Sequence, residues 1–162
     1  MDVDSGPRLR KRRVMRRKDA RKMKEEAKAL LPVGTESPLS QAELEDGTTV
    51  YIANDMVLLV RRDGLLFPTL INPAINNMPS AVIDMGAIPY VCNGADVMAP
   101  GIKEIQGEFA ENSILVIKDI THGKALAIGQ AIRSSADIRG MEKGKAIKTL
   151  HHVGDKIWSI IS

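Results

Sequence analysis

The pattern of apolar and polar positions changes character along this chain. From Asp19 onward Ala20, Met23, Ala27, Leu30 and Leu31 recur at helical spacing and Pro32 supplies a stop, so the pattern predicts a helix over residues 18–31 with its basic face outward. The stretch before it, residues 9–15, reads equally as an extended arm or an early strand, and residues 1–7 have no periodicity and read as a disordered tail. A polar connector, VGTESPLSQ, follows the helix. Between residues 42 and 70 the pattern turns into short β-prone runs, AELE, TTVYIA, MVLLVRR and LLFPTL, punctuated by Asp-Gly, Asn-Asp and Asp-Gly. The Asp-Gly pairs at 46–47 and 63–64 are hairpin signals, because both central positions of a type I′ turn favour residues that tolerate positive φ. The first half is therefore expected to be a helix on a small antiparallel meander, spanning residues 8–78. The loop-like INPAINNMPSA, with room for one helical turn, marks the boundary.

The second half, 79–162, is expected to start with a strand at 81–85 and a helix-like turn over 86–92. Regularly punctuated strands follow: VMAPGI, SILVIKDI, KALAIGQAIR, KAIKTLHHV and KIWSII, with turns at His122-Gly123 and Gly154-Asp155 and a short helical insertion in SSADIRG. In KALAIGQAIR, Leu126, Ile128 and Ile132 share one face while Ala127, Gly129 and Ala131 share the other, so one side fills a core and the other admits a close neighbour. So few short strands hide their edges most economically by closing into a small mixed barrel. The expected fold class is α+β.

Charge sharpens this division. Residues 8–28 hold twelve Lys and Arg against three acids, while the whole chain is only +3, so the remainder is net acidic. Such asymmetry points to an anionic partner, with nucleic acid ahead of a membrane surface because the segment has few large apolar residues; a solvated helix face accounts for the same charge run. The longest uninterrupted apolar run, residues 56–60, is far short of the roughly 20 residues that a membrane-spanning helix needs. The N-terminus lacks the apolar stretch of a secretory signal, and Cys92 is the sole cysteine, which excludes an internal disulfide and suits a reducing compartment; the expected localisation is cytoplasmic.

One stretch, DMGAIPYVCNGADVMAPGI at 84–102, is nearly free of charge and rich in Gly and Ala. Gly86 falls where a strand gives way to a helix, a position that suits a phosphate, and Gly94 and Gly101 remove side chains that would hold a ligand off. From spacing alone, tight turns are the first account of these glycines. The full segment, however, resembles the PUA domain, an RNA-binding module, through Asp84, Gly86, Ala87, Gly94, Ala95, Asp96, Met98, Pro100, Gly101 and Ile102. The resemblance continues through ALAIGQAIRSSADI and KGKAIKTLHHVGDKIWSI, covering residues 80–162, and implies a mixed β-barrel flanked by short helices. More loosely, the basic helix ending in ALLP and the RRDGLLFPTL hairpin are similar to the pre-PUA domain of the malignant T-cell amplified sequence family of translation re-initiation and recycling factors and its archaeal relatives.

The resemblance implies an RNA partner, tRNA or rRNA, with the small ribosomal subunit and a translation-factor partner as further expectations. It implies a groove beside the first short helix where Gly86, Ala87, Gly94, Ala95, Pro100 and Gly101 allow approach, Lys103, Arg133 and Lys156 meet phosphates, and Tyr90 stacks on a base. Arg10, Lys11, Arg12, Arg13, Arg16 and Arg17 are expected to supply sequence-independent attraction. No catalytic residue, metal or cofactor is expected: His151 and His152 are adjacent and point to opposite faces of a strand, His122 lies in a turn, and no nucleophile elbow, phosphate loop or dinucleotide fingerprint is present. Trp158 and the methionines 56, 78, 85, 98 and 141 read as core filling ahead of contact surface, and Cys92 as an inert thiol. The alternatives to an RNA-binding protein are a protein-interaction adaptor on the ribosome and an accessory subunit of an RNA-modifying enzyme.

Overall fold

The computed structural model describes residues 9–31 and 38–161, and the chain divides into two compact units, Met1–Ala74 with Ser159–Ser162, and Ile75–Trp158. The expected disordered tail at 1–7, Arg8, the stop at Pro32 and most of the polar connector lie outside the described residues.

The first unit is a five-stranded antiparallel meander of β1 (Arg10–Val14), β2 (Ser40–Glu43), β3 (Thr49–Ala53), β4 (Met56–Arg62) and β5 (Leu65–Pro68), with α1 (Arg17–Glu26) between β1 and β2 in the chain. The ambiguous segment 9–15 is thus an edge strand; it carries a register shift between Arg10 and Arg13 and a positive φ at Lys11. Asn54-Asp55 and Asp63-Gly64 all have positive φ and close two-residue hairpins of the primed type. At Asp46-Gly47 only the glycine is positive: the Asp46 carboxylate accepts from the Thr48 amide at 3.0 Å and a wider loop forms. The helix is shorter than expected. It ends at Glu26, and Lys28–Leu30 winds on as a tighter 3-10 turn, which turns Leu30 and Leu31 toward the core that Met23, Ala27, Leu39, Tyr51, Leu58, Leu59 and Leu66 build. Arg61 of β4 links the helix to the sheet, donating to both carboxylate oxygens of Glu26 at 2.9 and 3.0 Å and to the Tyr51 hydroxyl at 3.3 Å.

A 3-10 segment, Pro73–Asn77, runs through the division. The second unit contains β6 (Ser80–Ile83), α2 (Ile88–Val91), β7 (Val97–Met98), β8 (Ile102–Gln106), β9 (Ile114–Asp119), β10 (Ala125–Ala131), α3 (Ser135–Arg139), β11 (Lys145–His152) and the start of α4 (Lys156–Ile161). The sheet order is β7-β11-β10-β9-β6-β8, with β6 parallel to β9 and every other pair antiparallel. The two edge strands, β7 and β8, are consecutive in the chain and separated only by the turn Ala99–Gly101, so the sheet has to curl until its edges meet. Inside the curl lie Ala81, Ile83, Val91, Val97, Leu115, Ile117, Ala127, Ala131, Ile138 and Ile147.

Two sequence expectations are corrected here. VMAPGI is not one strand but β7, a 3-10 turn and β8. KIWSII is helical: Asp155 accepts from the Trp158 amide at 2.7 Å, three residues on, and this cap starts α4 where apolar alternation had suggested a strand. Trp158 is half-buried on that helix.

Candidate nucleic-acid interface

The turn that joins the barrel's edges also builds a groove. The Asp84 amide at the end of β6 donates to the Gly101 carbonyl at 2.9 Å, and the Ala99 amide donates to the Gly144 carbonyl at 2.8 Å, so Ala99–Gly101 is tied to both rims. Beside it α2 follows β6 after a tight bend, with Pro89 in its first turn, a position that costs no intrahelical hydrogen bond. Between them lies a cavity of about 370 Å³ lined by Asp84, Gly86, Ala87, Tyr90, Val91, Asp96, Val97, Met98, Pro100 and Gly101. A Cβ at Gly101 would stand 3.0 Å from the Cβ of Ala87, so only the smallest residues let helix and turn come this close.

Tyr90 and Met98 stand exposed along the groove, at 69% and 46%. Its charges are paired. Asp84 at one end faces Lys103 of β8 at 3.9 Å, and Asp96 faces Lys145 of β11 at 3.6 Å. Asp96 also accepts from the Thr149 amide at 3.1 Å, while the Thr149 hydroxyl donates to the Ala95 carbonyl at 2.8 Å, fastening the loop before β7 to β11. Each carboxylate thus holds a lysine beside the groove, where its ammonium group can meet an anion.

Of the residues expected from the sequence, Gly86, Ala87, Tyr90, Pro100 and Gly101 come together in the lining. Gly94, which needs its φ of +92°, and Ala95 lie exposed in the loop joining α2 to β7. Lys103 reaches the groove through Asp84, whereas Arg133 and Lys156 are exposed but do not line it. Three amides of the bend are already taken within the fold. The Asp84 carboxylate accepts the Ala87 amide at 2.9 Å, and the Gly94 and Ala95 amides donate to the carbonyls of Val91 and Tyr90. A carboxylate of the chain itself takes the place read for a phosphate, and the cationic contacts fall to side chains. The reading of Met98 as core filling is corrected, since it is exposed, as are Met56 and Met85; Lys145, which was not singled out, pairs in register with Met98 across β11 and β7, a neighbourhood no local spacing reveals.

In the first unit Arg10, Lys11, Arg12 and Arg13 are exposed along β1, and Arg16 and Arg17 are exposed where α1 begins. Lys11 and Arg12 make exposed pairs with Glu43 at 3.6 Å and Asp55 at 3.5 Å, each of small energetic worth. The positive face extends further than these six residues. Arg17, Arg21, Lys24 and Lys28 follow the helical repeat along a groove of about 810 Å³ that Val14, Met15, Ala20 and Leu39 line with apolar atoms.

Remaining candidates for chemistry are structural. His151 is fully buried against Asp155, and burial pushes the half-buried Cys92 thiol up. Among the described residues no group of three or more His, Cys, Asp or Glu side chains is placed to hold a metal ion, and no helix is long and apolar enough to cross a membrane.

A curled mixed sheet sealed by an Ala-Pro-Gly turn, with a small-residue groove beside its first short helix, defines a PUA domain, and the family model of that domain matches residues 79–153. An uncharacterized protein of Methanocaldococcus jannaschii is 32% identical over 158 residues, covering 93% of this chain and 97% of that one. Translation machinery-associated protein 20 of Eremothecium gossypii is 35% identical over 147 residues, covering 85% and 80%. Among solved structures, a hypothetical protein of Pyrococcus horikoshii superposes with a TM-score of 0.80 at 28% identity, over 93% of this chain and 99% of that one. The chain belongs to the family of PUA-domain proteins that includes translation machinery-associated protein 20 and malignant T-cell-amplified sequence 1.

Proposed function

We propose that this protein binds structured RNA without catalysing a reaction on it and acts in translation, in the cytoplasm, with the acceptor end of tRNA or small-subunit rRNA as ligand. The observation that carries the reading is the groove of the second unit. Its small residues admit a bulky polyanion, its exposed Tyr90 offers a stacking face, and Lys103 and Lys145 stand ready for phosphates. The printed name of the Eremothecium gossypii relative supports the translational part. The basic strand and helix of the first unit add counterion-releasing attraction that is indifferent to sequence. The test is retention of tRNA by the purified chain at roughly 50 mM salt, where electrostatic binding is strong, and its loss toward 200 mM. No retention at the lower salt sinks the proposal. Comparing tRNA with and without its terminal CCA then locates the contact.

A second reading draws on the α1 groove. Its apolar lining beneath basic side chains suits an acidic protein segment with an apolar anchor, as expected of an adaptor on the ribosome. Co-purification of a catalytic chain would instead mark an accessory subunit of a modifying enzyme.

A further inference from the structure

We propose that Nε2 of His152 accepts a hydrogen bond from a ribose 2′-hydroxyl of RNA lying over the loop between α2 and β7, which makes His152 a residue that tells RNA from DNA. The inference rests on the RNA-binding reading above and goes beyond the groove that carries it.

Three features of the ring lead there. Its Nδ1 lies 2.8 Å from the Val153 carbonyl oxygen; a carbonyl only accepts, so Nδ1 carries the proton and Nε2 of the neutral ring keeps its lone pair. Among the described residues Nε2 has no hydrogen-bond partner and no fully buried side-chain nitrogen or oxygen lacks one, so the lone pair reaches solvent. Gly94 adjoins it: a Cβ there would rest against Nε2 at 3.5 Å.

The position fits the same ligand. Gly94 sits between Val91 and Asp96, both of which line the groove, and Thr149 fastens Ala95 and Asp96 to β11, the strand that carries His152. The chemistry then narrows the contact. A lone pair repels phosphate oxygens, so whatever faces it has to donate. Base amino groups donate only from the edge of a splayed base, and the exposed neighbours Asn93, Gly94 and Ala95 offer no aromatic face to hold one splayed, whereas 2′-hydroxyls are donors displayed across the shallow groove of A-form RNA and along single strands.

The experiment compares an RNA stem-loop carrying a single-stranded 3′ end with its 2′-fluoro counterpart, which keeps the A-form and removes the donors. Binding of both to the wild-type chain and to His152→Leu and His152→Gln is measured at pH 8. Wild type is expected to prefer the hydroxyl RNA, and His152→Leu to shrink that preference by about fivefold, the worth of one net hydrogen bond. His152→Gln, which still offers an acceptor, is expected to recover part of it. If His152→Leu, folded as judged by its melting curve, keeps the wild-type preference, the inference is wrong. Equal loss on both RNAs is equally fatal, because it assigns the ring to phosphate. Should the wild type bind neither RNA, it is the RNA-binding proposal that falls.

Discussion

The carboxylate of Asp155 sits 2.9 Å from Nδ1 of the fully buried His151 and accepts the amides of His152 and Trp158 at 2.9 and 2.7 Å. Burial pushes this carboxyl up, but the hydrogen bond and charge of His151 with the two amides more than offset that and hold it below the usual carboxylate range. A pKa lower in the fold than in the unfolded chain stabilises above the ordinary aspartate pKa, and that contribution is lost as pH falls through the folded value. Asp155→Asn is therefore expected to cost about 2 kcal/mol at neutral pH, and its melting curve should converge on the wild type's as pH drops below roughly 4. A deficit that stays constant down to pH 2 would show that the charge is not what matters.

The contact between Gly101 and Ala87 gives a sharper test of packing. Gly101→Ala would press one Cβ on another at 3.0 Å and is expected to cost about 1 kcal/mol, with weaker binding of structured RNA. Adding Ala87→Gly should return part of the loss, so a double-mutant cycle by thermal melting is expected to show coupling between the two sites. Simple additivity would mean that helix and turn move apart without strain.

Gly129 on β10 is packed more tightly still. A Cβ there would collide with a methyl of Ile147 and stand 3.1 Å from the Lys148 carbonyl, the second a backbone atom that a rotamer change cannot move. Gly129→Ala should destabilise by roughly 1 to 3 kcal/mol, read from denaturant midpoints, while RNA affinity of the folded fraction stays unchanged.

Charge should divide by location. Lys103→Ala and Lys145→Ala are each expected to lower the slope of log affinity against log salt by about one, whereas Arg133→Ala and Lys156→Ala, away from the groove, leave it alone. Reversing Arg12, Arg13, Arg16 and Arg17 should weaken structured and random RNA alike. Selective loss of structured RNA from that change would contradict the division of labour between the units.

Much of this was legible before any coordinates. The turn dipeptides carry their backbone demands in their own chemistry, so the Asp63-Gly64 hairpin and the meander of the first unit could be read off directly, whereas Asp46-Gly47, read as the same kind of turn, closes a wider loop around the Asp46 carboxylate. The groove expected at 84–102 came from the resemblance to the PUA domain; spacing alone pointed to tight turns, and the approach of Gly101 to Ala87 joins positions 14 apart. What could not be read was set by distant partners. Lys145 gained its place only through pairing with β7, and the helix at 156–161 was masked because six residues alternate acceptably at either period; the signal that would have found it is Asp155, three positions ahead of Trp158. Of the amides in this bend, that of Ala87 is taken by Asp84 and those of Gly94 and Ala95 by carbonyls, which local spacing did not reveal. From α1 into the 3-10 turn the repeat of Arg17, Arg21, Lys24 and Lys28 was in plain view, but charge counting alone does not separate one face from a run.

The seam of the barrel is a covalent link of three residues, Ala99–Gly101, and two of them also line the groove. Drift at Pro100 and Gly101 is therefore filtered twice, once for whether the chain can zip itself shut and once for what it can hold. Refashioning this protein for another nucleic acid would be safer at Tyr90, Met98 or His152, which hang from the architecture without fastening it.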